Sequence, residues 1–235
     1  MFGNYLNERL IEAAKAGKLT KVKILVRMGA DANLKDKYGR AALMLAAANR
    51  HMEVVGFLVE HGADVESKNE NGLTALMRAA ENGCDEIVEV LVEHGADVDN
   101  RGKEGWTALM MAAVNGHERI VEILVGRGAN VNLQSNDGRT ALMWAARNGH
   151  EGIVKVLVEH GADIKLKNNE GKTARELTRN QNIAELLRIT LDNKMARGEI
   201  IRGIEERGGV GRIKLRKGFG EIRKKMEYVL SADRC

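Results

Sequence analysis

Proline is absent from all 235 residues of the chain, and aromatic residues make up only 3% of it. Average proline usage is about 5%, so its absence argues against polyproline linkers and proline-rich disordered segments. Two cysteines, Cys84 and Cys235, are too few for a disulfide framework. No run approaches the roughly 18 apolar residues of a membrane-spanning helix. Residues 1–10 also lack a long apolar stretch. These features predict an intracellular, cytoplasmic protein without a signal peptide.

Most of the chain also carries little excess charge of either sign. Residues 1–193 hold 25 basic and 27 acidic side chains, whereas residues 194–235 hold 12 basic and 6 acidic ones. The net charge of +4 therefore comes from the C-terminal segment. Such a contrast predicts two parts with separate roles.

Glycine, in contrast, is abundant and regularly spaced. It recurs every 33 residues in two registers, which are Gly39, Gly72, Gly105, Gly138 and Gly171, and Gly29, Gly62, Gly95, Gly128 and Gly161. A fixed period of this length is the signature of a solenoid, in which each unit buries its apolar face against its neighbours. We therefore predict a stacked array rather than a globule with one central core.

Residues 138–163 illustrate the unit. The pattern predicts that Thr140 caps a helix over 141–148, because its hydroxyl can accept a backbone N–H of the first turn. Gly149 should end this helix in the left-handed conformation. A second helix then begins at His150 and ends at Gly161, with apolar residues at helical spacing. The polar stretch beyond it is expected to form a turn or hairpin tip.

This unit resembles the ankyrin repeat. The T-P-L-H motif of that family corresponds to T-A-L-M at 74–77, 107–110 and 140–143, and more loosely to A-A-L-M at 41–44. The resemblance implies an all-α solenoid of stacked helix-turn-helix units with β-hairpin-like loops. The ankyrin repeat domain is placed at residues 1–191. It comprises an N-terminal capping unit at 3–35, full repeats at 36–68, 69–101, 102–134 and 135–167, and a C-terminal capping unit at 168–191.

Two departures from the family motif affect its packing. Alanine replaces the family's proline, which gives up a pre-set φ but keeps strong helix propensity. Methionine replaces the family's histidine at Met44, Met77, Met110 and Met143. Methionine cannot donate the hydrogen bond of that histidine, so we expect its flexible side chain to fill the space by packing.

No pattern in the sequence predicts catalysis, a metal or a cofactor. All six histidines fall in two repeating registers, which are His51, His117 and His150, and His61, His94 and His160. Histidines placed by a repeat are most simply structural. Metal-site spacings, a P-loop and a dinucleotide fingerprint are absent from the sequence. We therefore expect a non-enzymatic protein that has no cofactor.

Positions that vary between repeats are free to contact a partner. In ankyrin-like proteins the tips and the first helices line the concave face, and the resemblance transfers those registers to this chain. The candidate partner-binding residues are Tyr38, Arg40, Leu73, Arg78, Glu81, Trp106, Met111, Val114, Arg139, Trp144 and Arg147. Tryptophan and arginine are strongly enriched in binding hot spots. The cluster predicts a scaffold-type module that binds a partner protein, although Met111 and Trp144 could instead pack against the neighbouring helix.

Two other functions fit the same residues. A phosphate-bearing ligand such as a nucleotide could stack on the two tryptophans, with Arg78, Arg139 and Arg147 as phosphate contacts. Alternatively, the near-uniform repeats without proline suggest an engineered scaffold. Variation at framework positions such as Cys84 and Gly126 does not fit a strict consensus design.

Residues 192–235 form a basic extension outside the repeats. The pattern predicts helices over 199–207 and 219–232 on either side of an extended segment at 212–217. This extension could cap the last repeat, or it could bind nucleic acid or anionic lipid. The candidate anion-binding residues are Arg212, Lys214, Arg216, Lys217, Arg223, Lys224 and Lys225. Basic runs alone are weak motifs, which favours the capping role.

Overall fold

The computed structural model describes residues 2–192, in which helices are joined by turns and one isolated backbone bridge. The helices are α1 Phe2–Lys15, α2 Leu19–Arg27, α3 Ala42–Ala48, α4 Met52–Glu60, α5 Ala75–Glu81, α6 Asp85–Glu93, α7 Ala108–Asn115, α8 Glu118–Gly126, α9 Ala141–Asn148, α10 Glu151–Glu159 and α11 Ala174–Leu177. Residues 181–192 are helical as well and are called α12. No helix in this part of the chain is long and apolar enough to cross a membrane.

The chain divides into two units, Met1–Ile189 and Thr190–Cys235. The first unit contains the array of helix pairs. The second lies almost entirely outside the described residues. The helices predicted at 199–207 and 219–232, and the extended segment between them, fall there too.

Threonine and glycine set the limits of the first helices. The Thr107 hydroxyl oxygen accepts a hydrogen bond from Met110 N–H at 3.3 Å, and Thr74 and Thr140 make the equivalent bond. Gly149 ends α9 with a φ of 81°, which glycine adopts without a Cβ penalty. The predicted helix over 141–148 is therefore confirmed. The second helix of that unit begins at Glu151, one residue later than predicted.

The helices form two layers. In one layer α1, α3, α5, α7, α9 and α11 pack side by side in chain order. In the other layer α2, α4, α6, α8 and α10 do the same, and each of them packs against the first helix of its own unit. Ala112 and Ala113, both 0% exposed, show how small residues let these helices approach closely. The stacked solenoid is thus confirmed.

The methionine ladder is part of this core. Its members are no more than 3% exposed, and they are Met44, Met77, Met110 and Met143. A buried methionine fills irregular space through its flexible thioether side chain. The packing role predicted from the repeat is confirmed.

The tips between units are hydrogen-bonded turns. Gly102 N–H donates to Trp106 O at 2.9 Å and closes one of them. Neighbouring tips are joined by bonds from Glu70 N–H to Tyr38 O at 3.3 Å, from Lys103 N–H to Asn71 O at 3.0 Å, from Asn136 N–H to Glu104 O at 2.9 Å, and from Asn169 N–H to Asp137 O at 3.1 Å. This backbone ladder runs along one side of the array. Within residues 2–192 the hairpin-like loops form a single isolated bridge, between Lys35 and Ala41, and no extended strand.

Each of the six histidine rings forms a hydrogen bond with a backbone carbonyl oxygen. The ring Nε2 atoms of His51, His117 and His150 lie 3.0, 3.2 and 3.3 Å from the carbonyl oxygens of Lys15, Glu81 and Val114 in the preceding unit. The Nδ1 atoms of His61, His94 and His160 lie 2.8 Å from the carbonyl oxygen four residues earlier. The first three carbonyl groups lie at the C-terminal ends of α1, α5 and α7, where carbonyls have no partner within the helix. The other three also accept the backbone N–H of the same histidine. The structural role predicted for the histidines is confirmed.

At one junction between adjacent repeats, both the framework glycine and the framework histidine that faces it are replaced by other residues. A Cβ built on Gly83 would lie 2.6 Å from the ring of His117 in the next unit, and Gly17 and Gly116 face the next histidine in the same way. Arg50 occupies this glycine register with a φ of 63°. The residue that faces it in the histidine register is Cys84, which is smaller and 4% exposed. Burial raises the pKa of the Cys84 thiol, so the side chain packs as a neutral group. Cys84 thus leaves the room that the Cβ of Arg50 needs.

We expect the effects of Arg50→Gly and Cys84→His on stability to be strongly non-additive. Cys84→His alone should lower the free energy of unfolding by about 2 kcal/mol, because the ring would overlap Arg50. In the Arg50→Gly background the same change should cost less than about 0.5 kcal/mol, since the ring then faces a glycine, as His117 faces Gly83. Urea unfolding of the four proteins measures the coupling energy. Additive effects would show that the two departures are unrelated.

Candidate partner-binding site

Trp106 and Trp144 belong to different repeats and lie in contact. Trp106 ends a tip directly before α7, and Trp144 lies on α9. Their ring centroids are 4.8 Å apart, with an angle of 32° between the planes. Both side chains are half-buried. Such pairs contribute about 0.5–1.5 kcal/mol beyond the burial of their area. The indoles therefore form a rigid apolar element that is still open to solvent.

Two guanidinium groups lie over the Trp144 ring. The Cζ atoms of Arg139 and Arg147 are 5.0 and 5.7 Å from its centroid, within the range of a cation–π interaction. Arg139 also forms ion pairs with Asp137 and, at 3.0 Å, with Glu170. Arg147 is exposed and pairs with no carboxylate in the described part of the chain. Arg139 is thus held in place, whereas Arg147 can contact a ligand.

Carboxylates in the tips neutralise the arginines beside them. Burial of Asp137 opposes its ionisation. Hydrogen bonds from the Ser135 hydroxyl and from the N–H and guanidinium groups of Arg139 outweigh this effect and lower the pKa of Asp137. Asp36 behaves in the same way beside Arg40. These aspartates stay charged at neutral pH and occupy the guanidinium groups.

The ion pairs weigh against the phosphate alternative. Arg78 is bound to Glu81 at 2.7 Å, so two of the three proposed phosphate contacts, Arg78 and Arg139, already have carboxylate partners. A phosphate would have to displace those carboxylates. Only Arg147 of the three lacks such a partner among residues 2–192.

A pocket of about 550 Å³ lies next to the Trp106 side chain. Two tips form one side of it, and the C-terminal ends of α5 and α7 form the other. Its lining residues are Asn71, Leu73, Glu81, Gly102, Lys103, Glu104, Trp106, Met111, Val114 and Asn115. This volume lies within the range of roughly 300–1,000 Å³ found for ligand sites. Five of the lining residues are among those that the repeat registers predict: Leu73, Glu81, Trp106, Met111 and Val114.

Sequence reasoning missed the other five lining residues, although Gly102 left a signal. Its register elsewhere holds Asp36, Asn69, Ser135 and Asn168. The Asn69 side chain there accepts hydrogen bonds from Asn71 N–H and Leu73 N–H, and Gly102 has no such group. A Cβ on Gly102 would lie 2.9 Å from Cδ2 of Leu73. Glycine at this position therefore makes room for Leu73.

Three of the predicted residues differ from the expected arrangement. Met111, a candidate partner-binding residue, is 8% exposed and lines the pocket. Of the two roles that the sequence left open for Met111, packing within the array is the one that this low exposure favours. Tyr38 and Arg40 lie in a different tip, with the Arg40 guanidinium 4.7 Å from the Tyr38 ring centroid. They do not line the pocket around Trp106.

The predicted anion-binding residues, from Arg212 to Lys225, lie outside the described residues. Within residues 2–192, no group of three or more histidine, cysteine or acidic side chains is arranged to hold a metal ion.

Comparison with known proteins identifies the family. A family model described as "Ankyrin repeats (3 copies)" matches residues 10–102 and 96–168. The chain therefore belongs to the ankyrin repeat family. Ankyrin repeats are generally protein–protein interaction modules and are generally non-enzymatic. No curated protein matches the chain.

Proposed function

We propose that this chain binds a partner protein through the surface formed by its tips and first helices, called here the groove surface. The centre of that surface is the pair Trp106 and Trp144, together with the pocket beside Trp106. The observation that carries the proposal is the contact between the two indoles across adjacent repeats, with both rings half-buried.

The chemistry of the groove surface supports a protein partner. Large aromatic side chains that are already held in place lose little conformational entropy on binding. Trp144 contacts the guanidinium groups of Arg139 and Arg147, and Trp106 packs against Trp144. A preorganised aromatic cluster with charged groups at its rim is the usual composition of a binding hot spot.

Replacement of both tryptophans by alanine should abolish partner binding while the fold persists. A hot-spot residue contributes about 2 kcal/mol or more, so the double substitution should weaken binding by at least about 100-fold. The partner would be isolated from the native source with intact and doubly substituted baits, and its affinity measured for each variant. Ile24→Ala is the matched control, because Ile24 is 52% exposed on α2, a second helix that is not part of the groove surface.

Two results would contradict the proposal. One is a double variant that binds the partner at full strength. The other is an affinity that falls steeply with salt and is unchanged by both tryptophan substitutions, since such salt dependence is typical of phosphate recognition. Far-UV circular dichroism of the double variant checks that the repeats remain folded.

A further inference from the structure

The pocket beside Trp106 combines an apolar floor with acidic groups. Leu73, Trp106 and Val114 supply half-buried apolar surface, and the more deeply buried Met111 also lines the pocket. Two carboxylates, Glu81 and Glu104, also line the pocket. A side chain that fills this space must therefore satisfy both an apolar surface and negative charge.

The side-chain amide of Asn115 supplies a further hydrogen-bond acceptor where the pocket borders the C-terminal ends of α5 and α7. Its Nδ2–H donates to Met111 O at 2.9 Å, so its oxygen is the atom of the amide that can accept a hydrogen bond from a ligand. Glu81 lies at the end of α5, and Asn115 lies at the end of α7. The C-terminal ends of helices carry partial negative charge, which favours a cation nearby.

The carboxylates of the pocket are only partly neutralised. Arg78 reaches one oxygen of Glu81 at 2.7 Å. Glu104 forms no ion pair with any residue of the described range, and neither does Lys103, the only basic side chain that lines the pocket. One carboxylate is thus free, and a second has an oxygen that accepts no hydrogen bond within residues 2–192.

We infer that this pocket accepts a lysine or arginine side chain of the partner protein, with its stem on Leu73, Trp106 and Val114 and its charged end at Glu81 and Glu104. This inference rests on the proposed function and names the chemistry of the anchor. Lysine and arginine carry an apolar stem and a charged end, so one side chain meets both demands. The Trp106 face adds a cation–π contribution, and the carboxylates add charge-assisted hydrogen bonds.

Other anchors fit the pocket less well. A leucine or phenylalanine would cover Glu104 and the Asn115 amide without giving them a hydrogen-bond partner, which is unfavourable. An aspartate or glutamate would be repelled by the two carboxylates. A lysine or arginine side chain can donate hydrogen bonds to these polar groups and is attracted by both carboxylates.

The test begins with peptides selected from a random displayed library, with the full chain as bait. Peptides that lose binding to Trp106→Ala identify the anchor that enters the pocket. We expect lysine or arginine at that anchor position. For a synthetic peptide with an arginine anchor, replacement by citrulline, which keeps the shape and removes the charge, should weaken binding about tenfold. Because the chain has only two tryptophans, both in the site, their fluorescence reports binding.

Variants of the pocket provide the second readout. Glu104→Gln and Glu81→Gln should each weaken binding of the arginine peptide about three- to tenfold, since each removes a negative charge. Lys103→Gln should strengthen binding about twofold, because it removes a competing cation. Glu53→Gln is the matched control, as Glu53 is exposed on α4 away from the pocket, and it should leave binding unchanged.

Different outcomes overturn different claims. Selected peptides that depend on Trp106 but present leucine, phenylalanine or an acidic residue would overturn the basic anchor and leave the groove surface intact. The same conclusion follows if citrulline binds as well as arginine. If no selected peptide depends on Trp106 or Trp144, both the anchor and the proposed function are wrong.

Discussion

Leu109→Asp is expected to lower the free energy of unfolding by about 4 kcal/mol or more, enough to unfold the central repeats. Leu109 is 2% exposed on α7, where an ionised carboxylate would lose its hydration without gaining a partner. α7 packs against both α5 and α9. Because stability in a repeat array comes from the interfaces between neighbours, the damage should spread to both sides.

Urea unfolding and hydrogen exchange measure this effect. Protection of backbone amides should fall in α5, α7 and α9 before it falls in α1. Leu109→Asn is a control of similar size without charge and should retain more stability than the aspartate. Glu89→Ala changes a partly exposed side chain on α6, whose pair with Arg119 spans 3.6 Å, and it should alter stability by no more than about 0.5 kcal/mol. Equal losses for Leu109→Asp and Glu89→Ala would rule out a stacked core at α7.

Gly138→Ala should destabilise the protein by about 3 kcal/mol, which is more than Gly128→Ala. Both glycines have positive φ, 78° for Gly138 and 87° for Gly128, so alanine meets backbone strain of about 1–2 kcal/mol at either position. A Cβ on Gly138 would in addition lie 2.8 Å from the backbone nitrogen of Asn169 in the next tip, whereas a Cβ on Gly128 would have nothing within 4 Å. A clash with backbone cannot be relieved by a change of rotamer.

The comparison of the two alanine variants isolates the contact between tips. Gly138→Ala must push apart the tips that Asn169 N–H and Asp137 O join at 3.1 Å. The difference in the free energy of unfolding, measured by urea unfolding of both variants, should be about 1–2 kcal/mol. If the two variants lose the same stability, the close approach of the tips does not contribute.

Much of the fold could be predicted from local chemistry. Thr140 and Gly149 mark the ends of α9 because capping depends on residues within one helical turn. The methionine ladder could be assigned to the core because each member takes the same place in every unit. The ankyrin family assignment followed from the same regularity, and the family comparison confirms it.

The candidate site was less predictable, because it depends on departures from the repeat. The registers pointed to the two tryptophans but left open whether Met111 contacts a partner or packs against the neighbouring helix, and only the tertiary structure shows that it is buried. Lys103 and Glu104 look like ordinary surface residues until the tip is folded beside α7. Gly102 was the one missed residue with a signal in the sequence, since glycine replaces a polar side chain that accepts hydrogen bonds within the tip in that register.

By itself, the sequence determined the units of this protein: their length, their helix ends and the apolar face that makes them stack. Those properties arise from interactions within one unit, so the pattern of residues is enough to define them. The registers already grouped Trp106 with Trp144, but the tertiary structure alone decided that the two rings are in contact, that Arg139 pairs with Glu170, and that Arg50 faces Cys84. These contacts join residues about 30 to 40 positions apart, and they depend on the offset between stacked repeats and on the rotamers that the neighbouring side chains allow.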